Sequence, residues 1–142
     1  MARGEREPDP DRSLDGHVVL IAGASSGMGR ATAHAVAAAG ARVVVAARND
    51  AALAEVAADL ERAGAEALAV PTDATNRAAV ERLVGAVIDR FGRLDTLVVT
   101  VGTNIPRRAL SELTADSWAA MLAVNLSAAF NLTQAVVPVL RD

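Results

Sequence analysis

The sequence predicts an α/β fold, a doubly wound parallel sheet covered by helices. The first observation is that four short apolar runs alternate with stretches in which apolar residues recur at helical spacing. The second is that glycine ends three of those helical stretches, at Gly40, Gly64 and Gly92. Because crossovers between parallel strands are right-handed, four strand–helix units predict an incomplete sheet of order 3-2-1-4.

Strands are predicted at residues 17–22, 42–47, 67–71 and 96–100. The helix after each strand is predicted from an apolar stripe. In chain order these stripes are Met28, Thr32, Ala35, Val36 and Ala39; Leu53, Val56, Ala57 and Leu60; Val80, Leu83, Val84, Val87, Ile88 and Phe91; and Trp118, Met121, Leu122, Asn125, Leu126 and Ala129. The last helix is expected to begin near Thr114. The fourth strand is expected to leave one sheet edge without a neighbour.

The chain is long enough for one domain, predicted over residues 15–142. It is 52% hydrophobic with a sequence pI of about 5.3, as is typical of soluble globular proteins. Residues 1–14 are rich in charge, proline and glycine and lack the apolar segment of a signal peptide, which predicts a disordered tail. No stretch reaches the roughly 18–20 uninterrupted apolar residues of a membrane span. A cytoplasmic protein is therefore expected.

Composition excludes several kinds of site. The formal net charge of −3 argues against general nucleic-acid binding, because a surface that binds phosphate backbones needs clustered positive charge. The absence of cysteine excludes disulfides, thiol catalysis and cysteine-ligated metals. The two histidines, His17 and His34, form no ligand cluster. Neither a metal nor a nucleic-acid or membrane partner is expected.

The most informative motif is the glycine-rich run between the first strand and the following helix. Gly23 permits the tight turn that leaves the strand, and the missing side chains at Gly27 and Gly29 would let a pyrophosphate approach the helix N-terminal amides. The alternative is a glycine-rich turn with no ligand. We predict a Rossmann-like dinucleotide-binding loop, and its cofactor-binding residues include Ser25, Ser26 and Met28.

The end of the second strand distinguishes the two nicotinamide dinucleotides. A site for NAD normally carries an acidic residue there to bind the ribose 2′-hydroxyl, whereas this chain has Arg48. An arginine can form charge-assisted bonds to the 2′-phosphate of NADP. The alternative is a solvated Arg48, with Asp50 capping the next helix. The sequence therefore favours NADP, with NAD as the alternative.

These motifs resemble the N-terminal, cofactor-binding portion of a short-chain dehydrogenase/reductase, over about residues 15–142. The resemblance depends on the run from Gly23 to Gly29, on Asp73 after the third strand, on Asp95 before the fourth, and on Val124-Asn125-Leu126 in the last helix. It implies an oxidoreductase that moves a hydride between a nicotinamide cofactor and an alcohol or ketone. Asp95 is expected to brace the central strand.

The resemblance also implies individual roles. Asp73, with the neighbouring Ala74, would bind the adenine part of the cofactor, and Gly102 would allow its close approach. Asn125 would hold a water in the proton relay, at a local distortion of the helix. From the residues alone, Asp73 before Thr75 is more typical of a turn or helix cap. Asn125 alone indicates a buried amide that needs hydrogen-bond partners.

The chain departs from the family pattern at two places. Ala22 stands where the family usually has threonine, which removes one hydroxyl contact. The run Val99-Thr100-Val101-Gly102 stands where the family has Asn-Asn-Ala-Gly, so that only Gly102 is kept. These departures bear on the floor of the cofactor pocket.

The catalytic residues of the family are missing. Its serine and Tyr-x-x-x-Lys follow a fifth strand, and the 142 residues contain neither tyrosine nor lysine. Only the relay position, Asn125, is represented, so we expect a portion truncated before the catalytic residues, with little or no turnover. The alternatives are a non-catalytic dinucleotide-binding or interaction module, self-associating or paired with a full-length relative through the last helix, or a truncated product without function.

Overall fold

The computed structural model of the chain describes residues 12–140, in which four parallel strands form one sheet of order β3-β2-β1-β4. The strands are β1 (Val18–Ala22), β2 (Arg42–Ala47), β3 (Ala67–Pro71) and β4 (Thr96–Val99). The α/β fold and the predicted strand order are confirmed. The predicted strand limits differ by one residue at the start of β1 and at the end of β4.

The helices are α1 (Gly27–Ala38), α2 (Asp50–Arg62), α3 (Arg77–Phe91), α4 (Ala115–Leu122) and α5 (Ala128–Val136). A 3-10 turn, Leu110–Glu112, precedes α4, and a π-helical turn, Ala123–Ser127, joins α4 to α5 in one continuous helix. Asn49 caps α2, Asn76 caps α3, and Thr114 with Ser117 forms a capping box at α4. The predicted cap Asp50 instead lies in the first turn of α2.

The strand β1 lies at the centre of the fold, and all five of its residues are buried. Val18, Leu20 and Ala22 face the apolar cluster under α3 and α5, whereas Val19 and Ile21 face the cluster under α1 and α2. An uninterrupted apolar strand is what a parallel sheet covered on both faces requires. The strand β1 therefore forms the base from which the loop at its carboxyl end extends.

The inward face of α1 was predicted wrongly. Met28 is 78% exposed, and the buried residues of α1 are Gly29 and Ala33. A side chain as large as that of Met28 would not fit where α1 crosses the start of the glycine loop, so the helix turns its smallest residues inward. The stripe of the second helix, in contrast, is confirmed by the burial of Leu53, Val56 and Leu60.

The predicted stripe of the last helix is largely exposed and does not form its buried face. Trp118 and Leu126 are 56% and 63% exposed, while the buried residues are Ala128, Leu132 and Val136 of α5. Trp118 lies before the π-helical turn and Leu126 within it, and α4 has no buried residue. The helix therefore joins the core only after the turn, through α5.

The continuous helix Ala115–Val136 has 22 residues and a mean hydropathy of 1.3, long and apolar enough to span a membrane by length and composition alone. Polar residues such as Asp116, Asn125 and Asn131 interrupt it. Its α5 half packs against β4 and α3. The α5 half is thus part of the core of this domain, whereas α4 has no buried residue.

The predicted tail, residues 1–14, lies outside the described residues up to position 11. Arg12 and Leu14 differ from the expectation of disorder, since the Arg12 side chain bonds the Asp15 carboxylate at 2.8 Å and the Leu14 N–H donates to the Ala39 carbonyl at 2.9 Å. Leu14 also packs on the cluster beneath α1 and α2. Arg12 and Leu14 therefore contact the domain that was predicted to begin at residue 15.

At the other end of the sheet, β4 pairs with β1 alone within residues 12–140. Its four residues are only partly buried. The expected open edge is present in this part of the chain.

Candidate functional site

A cleft of about 400 Å³ opens at the carboxyl ends of the strands. The strand β1 lies between β2 and β4, so the chain order reverses at this point of the sheet, where open α/β folds bind their ligands. All of the residues predicted to bind the cofactor line this cleft: Gly23, Ser25, Ser26, Gly27, Met28, Gly29, Arg48, Asp73, Ala74 and Gly102. The structure thus brings together positions that are up to 79 residues apart in sequence, from Gly23 to Gly102.

The glycine loop leaves β1 at Gly23, which has a φ of 93° and donates its N–H to the Ala46 carbonyl at 2.8 Å. Helix α1 then begins without a side-chain cap, because the Ser26 side chain accepts no bond from the first turn. The first amides of a helix have no partners within it and carry its positive dipole end. The start of α1 therefore presents uncapped N–H groups to the cleft, unlike α2 and α3.

Gly27 and Gly29 serve the loop in different ways. Gly27 has a φ of 53°, is exposed, and has nothing within 4 Å of the place where a Cβ would stand. Gly29 is buried, and a Cβ there would collide with the Gly23 carbonyl oxygen. The open space predicted for a pyrophosphate is present at Gly27. At Gly29 the missing side chain serves the packing of α1 on the loop, and its contact with a pyrophosphate stays a prediction.

Thr100, which follows β4, is a cleft residue that the sequence prediction passed over. Its hydroxyl donates to the Ala22 carbonyl at 2.9 Å and lies 3.2 Å from the Gly23 carbonyl oxygen. Its backbone N–H also donates to Ala22, at 2.8 Å. The end of β4 is thus joined to the start of the glycine loop. A polar residue directly after an apolar strand is the sequence signal that could have indicated it.

Arg48 and Asp73 lie on adjacent loops at the β2 and β3 side of the cleft. Arg48 is exposed and has no carboxylate within ion-pair distance among residues 12–140. Asp73 accepts bonds from the Thr75 N–H at 2.9 Å and the Thr75 hydroxyl at 2.7 Å. These bonds, helped by the charge of Arg48, lower the pKa of Asp73. Asp73 is therefore an ionised turn residue, while Asn76 caps α3.

The loop that carries Asp73 and Ala74 is held from α5. Asn131 donates its side-chain amide to the Ala74 carbonyl at 3.1 Å, and the Thr75 carbonyl lies 3.3 Å away. Asn131 was not among the predicted site residues. An amide next to the buried Leu132 on an otherwise apolar helix is the signal that could have found it.

Asn125 differs from its prediction in burial but not in bonding. It is exposed, and it lies in the π-helical turn Ala123–Ser127, the local helix distortion that the resemblance implied. Its Oδ1 accepts from the Thr103 N–H at 3.0 Å, and its Nδ2 donates to the carbonyls of Thr103 and Met121 at 3.1 and 3.0 Å. Asn125 therefore fastens the loop after β4 to the helix instead of filling the core.

Asp95 lies at the opposite end of the sheet from the cleft. Its carboxylate accepts the Val18 N–H at 2.8 Å and pairs with Arg93. The hydrogen bond from Arg93 lowers the pKa of Asp95, and the bond from Val18 adds to that effect. This geometry agrees with a structural brace between the starts of β1 and β4. No group of three metal-ligating side chains occurs in the part of the chain that the structure describes.

The parallel sheet, its switch point and the uncapped glycine loop together define a Rossmann-type dinucleotide-binding protein. Comparison with known families narrows that class. Residues 17–142 match the short chain dehydrogenase family, and the chain belongs to it.

The relatives show how much of the family's length is represented. The chain is 35% identical over 126 residues to an uncharacterised oxidoreductase of Listeria innocua, covering 89% of this chain and 50% of that protein. A crystal structure of a 3-ketoacyl-ACP reductase from Sinorhizobium meliloti aligns with a TM-score of 0.85 at 35% identity, covering 87% of this chain and 49% of that one.

A metagenomic short-chain oxidoreductase crystallised in complex with NADP aligns with a TM-score of 0.84 at 34% identity, covering 89% of this chain and 57% of that one. The chain spans about half the length of the curated relatives it matches.

Proposed function

We propose that these residues bind a nicotinamide dinucleotide in the cleft, with its pyrophosphate at the start of α1. The observation that carries the proposal is the open space over Gly27 beside helix amides that no side chain caps. Asp73 and Ala74 line the side of the cleft assigned to the adenine, and Gly102 leaves room on the β4 side. Met28, whose side chain is largely exposed, lies at the same opening.

The preferred dinucleotide in this proposal is NADP, with NAD as the alternative. Arg48 has no ion-pair partner within residues 12–140, so its charge is available to a 2′-phosphate. No acidic residue takes the position at the end of β2 where NAD would be bound through its ribose. The NADP complex of a structural relative is consistent with this preference.

Calorimetric titration with NADP tests the binding proposal. Gly27→Asp should reduce the affinity at least about 10-fold, because a carboxylate would face the pyrophosphate. Asp tolerates a positive φ better than most residues. Gly64→Asp is a matched control, since Gly64 also has a positive φ, 90°, and open space, but lies outside the cleft. Equal affinities of the two variants would contradict the proposal.

The reaction proposed for the whole protein is hydride transfer to or from an alcohol or ketone. The dinucleotide would carry the hydride, while this chain binds and orients it. Asn125 occupies the relay position and is held by Thr103 and Met121. Because these 142 residues contain no tyrosine or lysine to move the proton, they alone are proposed to show no turnover. NADP-dependent activity of the purified chain on an alcohol and ketone panel would contradict this.

A second candidate function is interaction through the last helix. Trp118, Leu122, Leu126 and Phe130 recur every four residues and are 56%, 39%, 63% and 58% exposed. Such an exposed apolar row, in a domain that also has an open edge at β4, is costly in water. We therefore propose that the chain self-associates in the cytoplasm, with pairing to a full-length relative as the alternative. Light scattering at micromolar concentration should detect the association, and Leu126→Arg should reduce it. A monodisperse monomer of the unchanged chain would contradict the proposal.

A further inference from the structure

We propose that the Thr100 hydroxyl is a positioning group for the dinucleotide site, because it sets the shape of the glycine loop from the neighbouring strand. This inference rests on the proposed function and adds a residue outside the glycine motif to it. No role in the reaction itself is proposed for Thr100. Its effect would pass through the carbonyls of Ala22 and Gly23, which it contacts directly.

The contact lies where β1 becomes the loop. The Thr100 hydroxyl stands 2.9 Å from the Ala22 carbonyl oxygen and 3.2 Å from that of Gly23. Among residues 12–140 no backbone N–H outside the regular helices and strands donates to Gly23, and Thr100 is its one side-chain donor. Without the hydroxyl, the peptide between Gly23 and Ala24 would lose the group that orients its carbonyl.

The glycines leave the space that this hydroxyl fills. A Cβ on Gly23 would stand 2.7 Å from the Thr100 Oγ1, and a Cβ on Gly29 would stand 2.6 Å from it. Both distances are too short for non-bonded atoms, so the two glycines and Thr100 form one packed junction of β1, α1 and β4. Gly29 lies in the first turn of α1, whose uncapped amides face the cleft. A shift of the junction would therefore move those amides.

The two departures from the family pattern meet at this junction. Position 22 has alanine where the family usually has threonine, and position 100 has threonine where it has asparagine. The bond from Thr100 to the Ala22 carbonyl places a hydroxyl between β1 and the end of β4. The two positions are therefore joined by a polar contact at the start of the glycine loop.

The test uses Thr100→Ala, which removes the hydroxyl, and Thr100→Ser, which keeps it. Thr96→Ala, at the far end of β4 and outside the cleft, is the matched control. We expect Thr100→Ala to weaken NADP binding about 10-fold, the effect of one lost hydrogen bond, and to speed amide exchange across residues 23–29. Thr100→Ser should restore both properties, and Thr96→Ala should change neither.

A purely structural role would lower the melting temperature of Thr100→Ala and leave its NADP affinity unchanged, which would overturn the inference. If the unchanged chain does not bind NADP, the proposed function fails, but exchange of the loop amides still tests the positioning role. Unchanged exchange at residues 23–29 in Thr100→Ala would then overturn the inference. If Thr100→Ala does not fold, Thr100→Ser provides the test. An NADP affinity or loop exchange of Thr100→Ser that is altered as much as in an unrelated destabilised variant would contradict a role of the hydroxyl.

Discussion

Asn131 of α5 donates its side-chain amide to the backbone carbonyl of Ala74 at 3.1 Å, so the helix that follows β4 holds the loop that follows β3. The Thr75 carbonyl, 3.3 Å away, shares the same amide. The contact joins residues 57 positions apart. It fixes one wall of the cleft without contributing a side chain to its surface.

We expect Asn131→Ala to lower the free energy of unfolding by about 1–2 kcal/mol, because a partly buried carbonyl loses its donor. The same variant should weaken dinucleotide binding by loosening Asp73 and Ala74. Urea titration and calorimetry measure the two effects. Thr133→Ala, an exposed change on the same helix, is the control. Wild-type values for Asn131→Ala in both experiments would show that the loop does not depend on this bond.

Gly29→Ala should destabilise the protein by about 1–3 kcal/mol, because its Cβ would collide with the Gly23 carbonyl oxygen. Gly85→Ala provides the opposite control, since Gly85 lies in α3 with open space around the Cβ position. That change should be neutral or stabilise by up to about 1 kcal/mol. Thermal or urea unfolding checks both. A Gly29→Ala variant as stable as the original would mean that α1 does not pack on the loop as described.

Arg48→Ala should weaken NADP binding about 10- to 100-fold and leave NAD binding nearly unchanged, because only NADP has the 2′-phosphate. Arg82→Ala is the matched control, since Arg82 is exposed on α3 and does not line the cleft. Parallel calorimetric titrations with both dinucleotides measure the preference. A preference for NADP that survives in Arg48→Ala would assign it to another residue.

The Asp95 brace predicts a dependence of stability on pH. Because the bonds from Arg93 and Val18 lower the pKa of Asp95 in the folded chain, its ionised form adds stability above the unfolded value of about 3.9. That contribution should disappear as the pH falls through the lower, folded pKa. Asp95→Asn should cost about 1–2 kcal/mol at pH 7, with a difference from wild type that shrinks below about pH 4. Urea unfolding at several pH values tests this, and a difference independent of pH would contradict it.

The sheet could be predicted from the sequence because each strand is a local apolar run and right-handed crossovers leave few orders. The cleft residues of the glycine loop followed from local spacing in the same way. Thr100 and Asn131 could not be predicted so, since they act on partners 78 and 57 positions away. The π-helical turn was implied only by the resemblance, since no local pattern in the sequence marks it.

Residue-resolved amide shifts on addition of NADP test the central claim most directly, because they locate the ligand as well as detect it. We predict that saturable shifts are concentrated in residues 23–29, at Arg48 and at residues 73–74. Amides near Asp95, at the other end of the sheet, should stay unchanged. Shifts confined to the exposed row of the last helix, or no shifts at millimolar NADP in a folded sample, would contradict the assignment of this cleft as a dinucleotide site.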